Sequence, residues 1–147
     1  MATKDINDAA KPLRDAWETI KNEYSKRVPG KRLVLTCVYR SPAEQLELFG
    51  KGRTLGSDGK WSIQDKSKVV TNVDGRTVLG AHNYKPARAI DVAVVDTTTG
   101  KYIWTESSYY PLLAIAAGVG LESGGAWKSI TDWPHLQIPK YKTYEGA

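Results

Sequence analysis

Ala87-Arg88-Ala89-Ile90-Asp91-Val92-Ala93-Val94-Val95 reads as a β-strand. Side chains alternate along it, so Ile90, Val92 and Val94 share one face while Asp91 and Ala93 share the other. A shorter run, His135 to Ile138, has the same character, with His135 and Gln137 on one face and Leu136 and Ile138 on the other. Antiparallel pairing of these two runs brings Asp91 and His135 to a common face. The rest of the chain is organised around that pair.

Residues 8 to 28 place Leu13, Trp17, Ile20, Tyr24 and Val28 at steps of three and four, one face of a helix. Pro12 falls in or near its first turn, and Pro29-Gly30 stops it. Lys31 to Tyr39, rich in Leu and Val, is expected as a largely buried strand. Ser41-Pro42-Ala43-Glu44 follows at once. Serine as N-cap, proline at the first helical position and glutamate at the third form a capping box, so a short helix runs to about Phe49. Arg40 therefore stands at a strand-to-helix junction, where side chains commonly face a site. Residues 50 to 80 hold six glycines and many polar residues, which predicts a long loop bordering a cleft, with a hairpin around Gly56 to Trp61.

Beyond the 87 to 95 strand, Thr97 to Gly100 forms a turn and Lys101 to Trp104 a returning strand. Ser107 or Ser108 starts a helix through about Ala117. It is apolar nearly all round and is expected to be buried, with Gly118 and Gly120 ending it. Segregated helices and strands of this kind predict an α+β fold, a small antiparallel sheet with flanking helices. No repeat, low-complexity tract or linker interrupts the 147 residues, so residues 1–147 are expected to form one domain with no separate second module.

The two histidines, His82 and His135, each sit in a segment that looks like half of a metal site. Two neutral imidazoles and one carboxylate leave a fourth position open on zinc, the catalytic rather than the structural pattern. Asp91 can supply the carboxylate, and a second one, Asp132, lies three residues before His135. Spacing alone leaves other readings open. His82 and Asp91 are nine residues apart, not a helical pair, and each histidine also reads as an ordinary loop or core residue. Cys37, the single cysteine, excludes an internal disulfide and reads as an inert core thiol in a buried strand.

A net charge of +5 favours polyanions without choosing among them, and the basic residues are spread along the chain. No apolar run approaches the ~20 residues of a membrane span, so membrane insertion is not expected. The first residues lack the basic-then-apolar layout of a signal peptide. No helix, finger or RNA-binding motif supports a nucleic-acid partner.

Four blocks then act together: Arg40 to Gln45 with Gly52-Arg53-Thr54; His82-Asn83-Tyr84 through Ala89-Ile90-Asp91; Gly120 to Ser129; and Asp132-Trp133-Pro134-His135. In order and spacing they resemble the zinc D-Ala-D-Ala carboxypeptidase and L-alanyl-D-glutamate endopeptidase family, with phage endolysins and bacterial wall peptidases as the nearest look. The resemblance runs from about Leu33 to Gln137. It implies the fold shared by D,D-peptidases and hedgehog domains, with Zn2+ on the sheet face held by His82, Asp91 and His135. It implies Asp132 as general base, Arg40 as the arginine that steadies substrate or oxyanion, and Gln45 as a helix residue near the pocket.

Two departures accompany it. Gly80 stands where the family usually has serine, and Lys85-Pro86-Ala87-Arg88 lengthens the usual interval from histidine to aspartate by two residues, which preserves strand parity. Trp127 is a candidate cleft wall, Trp133 a candidate shield for the metal, and Arg53, Lys85 and Arg88 candidate cations of the cleft.

The expectation is a monomeric peptidoglycan stem-peptide endopeptidase. As a phage lysis protein it would be made in the host cytoplasm and act at the cell wall. A D,D-carboxypeptidase and a non-catalytic wall-binding or virion module of the same fold stand as alternatives.

Overall fold

The computed structural model describes residues 2–128 and 131–146. Its centre is β4 (Ala89–Asp96), the strand quoted above, which pairs antiparallel with three others. β1 (Lys31–Cys37) runs along it from Lys31 opposite Asp96 to Cys37 opposite Asp91. β7 (His135–Gln137) pairs its first residues, with Asp91 opposite His135, and β5 (Tyr102–Ile103) pairs Val94 and Val95. β6 (Glu122–Ser123) extends the sheet beyond β7. The expected antiparallel pairing of the aspartate and histidine strands is therefore present.

One face of this sheet is closed by helices. α1 (Lys11–Arg27) starts with Pro12 in its first turn, where a missing N–H is harmless, and ends at Val28 before Pro29. Its buried side chains Leu13, Trp17, Ile20 and Tyr24 join Ile90, Val92 and Val94 of β4 in one core. The phenol of Tyr24 donates to the Ser108 carbonyl at 2.8 Å, so the polar tip of this buried ring is satisfied.

α3 (Pro111–Gly118) differs from the sequence reading in two ways. Glu106–Tyr109 form a separate 3-10 turn, and the α-helix begins only at Pro111, whose fixed φ suits a first helical position. Nor is the helix buried all round. Leu112, Ile115 and Ala116 face the core, while Leu113, Ala114 and Ala117 meet solvent. An apolar composition leaves a helix free to expose its small side chains when only one neighbour layer exists to cover it.

The opposite face of the sheet, which carries Asp91, is bordered by α2 (Pro42–Phe49) and the glycine-rich loop. The Ser41 hydroxyl accepts from the Glu44 N–H at 3.2 Å and the Glu44 carboxylate accepts from the Ser41 N–H at 3.2 Å, completing the expected capping box. Within the loop, β2 (Arg53–Leu55) and β3 (Trp61–Ile63) form the expected small hairpin. Among the described residues no helix is long and apolar enough to cross a membrane.

Candidate functional site

His82, Asp91 and His135 converge on one point of the open sheet face. The β4–β7 ladder sets Asp91 directly against His135, and the His135 Nδ1 lies 2.9 Å from Asp91 Oδ1. His82 arrives on a 3-10 turn, Ala81–Asn83, whose backbone is tied to the neck of α2 by the Arg40 N–H donating to the His82 carbonyl at 2.9 Å. Its Nε2 lies 3.1 Å from the same Asp91 oxygen. The two imidazoles meet edge to face, 5.1 Å apart.

The outer nitrogens decide what the inner ones can do. His82 Nδ1 donates to the Val38 carbonyl at 2.7 Å, and His135 Nε2 donates to Gln137 Oε1 at 2.8 Å. Both acceptors are oxygens, so each ring keeps its proton on the outer side. In the neutral tautomers, two lone pairs then point at a carboxylate oxygen with nothing positive between them. Such a cluster requires a cation: protons on the rings, or a metal ion at the convergence point.

The donor geometry fits either, since 2.9 and 3.1 Å are also ordinary hydrogen-bond lengths. Tetrahedral zinc with bonds of ~2.0–2.1 Å implies ligand atoms about 3.3 Å apart, close to both separations. Without an ion, the electrostatics pair His82 and Asp91 as charged partners. Burial opposes an imidazolium at His82, but Asp91 outweighs it, with a smaller contribution from Cys37, and pushes its pKa up to about 10. Burial likewise opposes charge on Asp91, yet the two histidines hold its carboxyl well below the usual range.

Cys37, expected as a core thiol in a buried strand, lies beside the site. It is buried, but its Sγ lies 3.7 Å from His82 Nδ1 and 3.4 Å from Arg40 Nη2. A bulge after Leu35 shifts the β1–β4 register, so Cys37 rather than Thr36 stands opposite Asp91. Two ligand groups can thus be drawn among the described residues: Cys37 with His82 and Asp91, and Asp91 with Asp132 and His135. Cys37 meets His82 on the nitrogen already bonded to Val38, behind the ring from Asp91. The two groups share Asp91, whose Oδ1 both His82 Nε2 and His135 Nδ1 face.

Asp132 stands at the rim. Its Oδ2 lies 3.9 Å from His135 Nδ1 and its side chain is 42% exposed. Burial and the Asp91 charge push its carboxyl above the usual range, against the pull of His135, His82 and Arg40. The Gly124-Gly125 pair makes this placement possible. A Cβ on Gly124 would overlap the Asp132 backbone, and one on Gly125 the ring of Trp133.

Arg40 reaches in from the other side, with Nη2 3.8 Å from Asp91 Oδ2 and Nη1 donating to Gln45 Oε1 at 3.1 Å. Gln45 is buried. Its Nε2 donates to the Val73 carbonyl at 3.0 Å, and Asn83 Nδ2 donates to the Arg40 carbonyl at 2.9 Å. This network ties α2, the loop and the His82 turn together, and Asn83, which the sequence reading did not single out, is part of it.

These groups line a cleft of ≈ 320 Å³. Trp127 forms one wall, its ring 5.0 Å from His135 and its Nε1 donating to Glu122 at 2.9 Å. Tyr141 lines it as well, a residue without any motif to announce it. Arg88, from the lengthened interval, donates to the Tyr141 carbonyl at 2.6 Å and stacks on Tyr84 at 3.9 Å, so the insertion secures the chain segment beside the cleft. Arg53 is not among the lining residues. Its guanidinium donates to the Phe49 and Thr71 carbonyls, both at 2.8 Å, and stacks on Phe49. Lys85 lies over Tyr39, and Trp133 packs against Tyr110 at 4.9 Å, both outside this cleft. Ser129, the end of the third sequence block, lies outside the described residues.

No family model matches the chain. It is 33% identical over 115 residues to the peptidoglycan L-alanyl-D-glutamate endopeptidase CwlK of Bacillus subtilis strain 168. That match covers 72% of this chain and 60% of CwlK, so the chain spans less than two thirds of this curated relative's length. In structure it is similar to the Serratia marcescens L-Ala D-Glu endopeptidase ChiX, with a TM-score of 0.53 and 19% identity over 90% of this chain and 82% of that one. The second likeness shows the fold: an α+β sheet with flanking helices.

Proposed function

We propose that this chain is a metal-dependent peptidase of the D-Ala-D-Ala carboxypeptidase and L-alanyl-D-glutamate endopeptidase family, acting on the stem peptide of peptidoglycan. The observation that carries the reading is the arrangement of the two histidines: outer nitrogens bonded to oxygens, inner nitrogens aimed at one carboxylate oxygen. The similarity to CwlK supports the substrate class and favours cleavage between L-alanine and D-glutamate.

His82, Asp91 and His135 would hold the ion, and zinc suits two imidazoles and one carboxylate. A zinc ion bound there supplies Lewis acidity toward a carbonyl oxygen and lowers the pKa of water. Asp132 performs the proton work. Its raised pKa moves it toward neutral pH, its exposure admits water, and it would take the proton of the attacking water and deliver it to the departing amine. Arg40, fixed by Gln45, places a permanent positive charge beside the same point, where it would stabilise the developing oxyanion or pair with a substrate carboxylate. Gln45 acts here by holding Arg40 in place. Trp127 and Tyr141 shape the walls that receive the stem peptide.

Within this reading the protein serves as a phage lysis enzyme, monomeric, made in the host cytoplasm and acting on the wall. The test is mass spectrometry of purified peptidoglycan digested with and without a zinc chelator. Chelator-sensitive products with a new D-glutamate amino terminus are expected. Released terminal D-alanine would reassign the chain to carboxypeptidase chemistry. Intact peptidoglycan from every wall type, with zinc bound to the protein, would overturn the enzymatic reading.

A further inference from the structure

Beside the metal cleft, on the far side of Asp132, lies a second and shallower groove that the proposed chemistry does not use. It is lined by Trp104, Tyr109, Thr131, Asp132 and Trp133, with Glu106 at its edge. Trp104 is 60% exposed, the largest exposed apolar side chain among the described residues. Its ring lies nearly parallel to that of Tyr109, 8° between planes, and contacts Tyr102, itself 52% exposed. Tyr110, 50% exposed, rests on Trp133. Isolated exposed apolar residues are ordinary, but three exposed aromatic side chains, Tyr102, Trp104 and Tyr110, together beside a cleft mark an interaction surface.

We infer that this groove binds the glycan strand of the same substrate. The inference rests on the peptidoglycan reading. Three features select a carbohydrate. Aromatic faces offer broad apolar surface to the C–H side of a pyranose ring, while its hydroxyls need acceptors at the rim. Glu106, Asp132 and the Thr131 hydroxyl provide those acceptors. The lining includes no lysine or arginine, which disfavours an anionic lipid, a teichoic acid or a nucleic acid despite the net positive charge. Finally, Asp132 lines both the groove and the metal cleft, so a ligand that fills one continues into the other. A stem peptide in the cleft stays attached to its sugar, and the shared Asp132 sets this groove next to the cleft. The rings are held from behind: the Tyr109 hydroxyl donates to the Ile103 carbonyl at 2.8 Å and accepts from the Val94 N–H at 3.1 Å, which anchors the platform to β4.

The experiment is calorimetric titration of the intact protein with a β-1,4-linked N-acetylglucosamine tetramer, a soluble stand-in for the strand. Saturable binding in the millimolar range or tighter is expected. Trp104→Ala should weaken it by about tenfold or more, and Trp104→Phe, which keeps a ring, should restore most of it. Equal melting temperatures of the three proteins exclude a folding explanation. The inference is overturned by absent binding to the wild-type protein, by unchanged affinity in Trp104→Ala, or by dimerisation in sedimentation that Trp104→Ala alone abolishes. Because the readout is sugar binding, it stands or falls separately from any measurement of amide hydrolysis.

Discussion

The Gln137 side-chain carbonyl oxygen accepts the outer N–H of His135, and both residues are buried. That bond fixes the tautomer that turns Nδ1 toward Asp91. Outer partners of this kind typically carry 10–100-fold in metal affinity. Gln137→Leu, which keeps the volume and removes the acceptor, should therefore weaken zinc binding by about that factor, while Gln137→Glu should recover most of it. Competition with a chromophoric chelator reads this directly, and equal affinities for all three proteins would show that His135 needs no such support. Asp132 makes the complementary case. It lies within 3.9 Å of His135 but outside the converging set, so Asp132→Asn should bind zinc at full stoichiometry and lose about 10²–10⁴-fold in hydrolysis. A fully active Asp132→Asn enzyme would remove it from the mechanism.

At the level of elements, the site depends on how α2 begins. Ser41 caps it, and the first turn so fixed carries Gln45, which holds Arg40 and the Val73 carbonyl. Ser41→Ala should cost about 0.5–2 kcal/mol in urea denaturation, within the range for serine caps. A cost indistinguishable from zero would mean that Pro42 and the packing of Gln45 set the helix start alone. This element was fully legible, because a capping box is local chemistry written in four consecutive residues. The β4–β7 pairing was legible for a similar reason: alternation forces Asp91 and His135 to a shared face once the strands meet. What sequence could not carry was register across a bulge. Regular pairing would have set Thr36 against Asp91, and the irregularity between Leu35 and Cys37 brings the thiol there instead. Tyr141 and Asn83 escaped for another reason. Each joins the site through long-range bonds, to Arg88 and to Arg40, that no local pattern announces. The exposed side of α3 was misjudged because composition records hydrophobicity but not how many layers are available to cover it.

For the molecule as a whole, a metal ion held by His82, Asp91 and His135 would also be a stabilising tie, since it would join β7 to β4 and the His82 turn across 44 residues of chain. An ion that binds only the folded state adds about 2.7 kcal/mol at a concentration 100-fold above its Kd. For a domain of this size that corresponds to roughly 5–11 °C in Tm. The increment should also depend on pH, and its sign follows from His82. In the metal-free fold Asp91 holds the pKa of His82 up at about 10, whereas an unfolded chain returns it to about 6.5. A raised histidine pKa contributes stability that is complete below about pH 6.5 and is lost as pH rises through the folded value. The metal-free protein should therefore lose Tm steadily from neutral pH toward pH 10. Zinc takes the place of that proton, so the loaded protein should lose less, and the gap between the two melting curves should widen with pH. Thermal melts across this range, with zinc and with chelator, measure the gap, and Asp91→Asn should close it at every pH. A gap that stays constant from neutral to alkaline pH would mean that His82 is not the residue exchanging its proton for the ion.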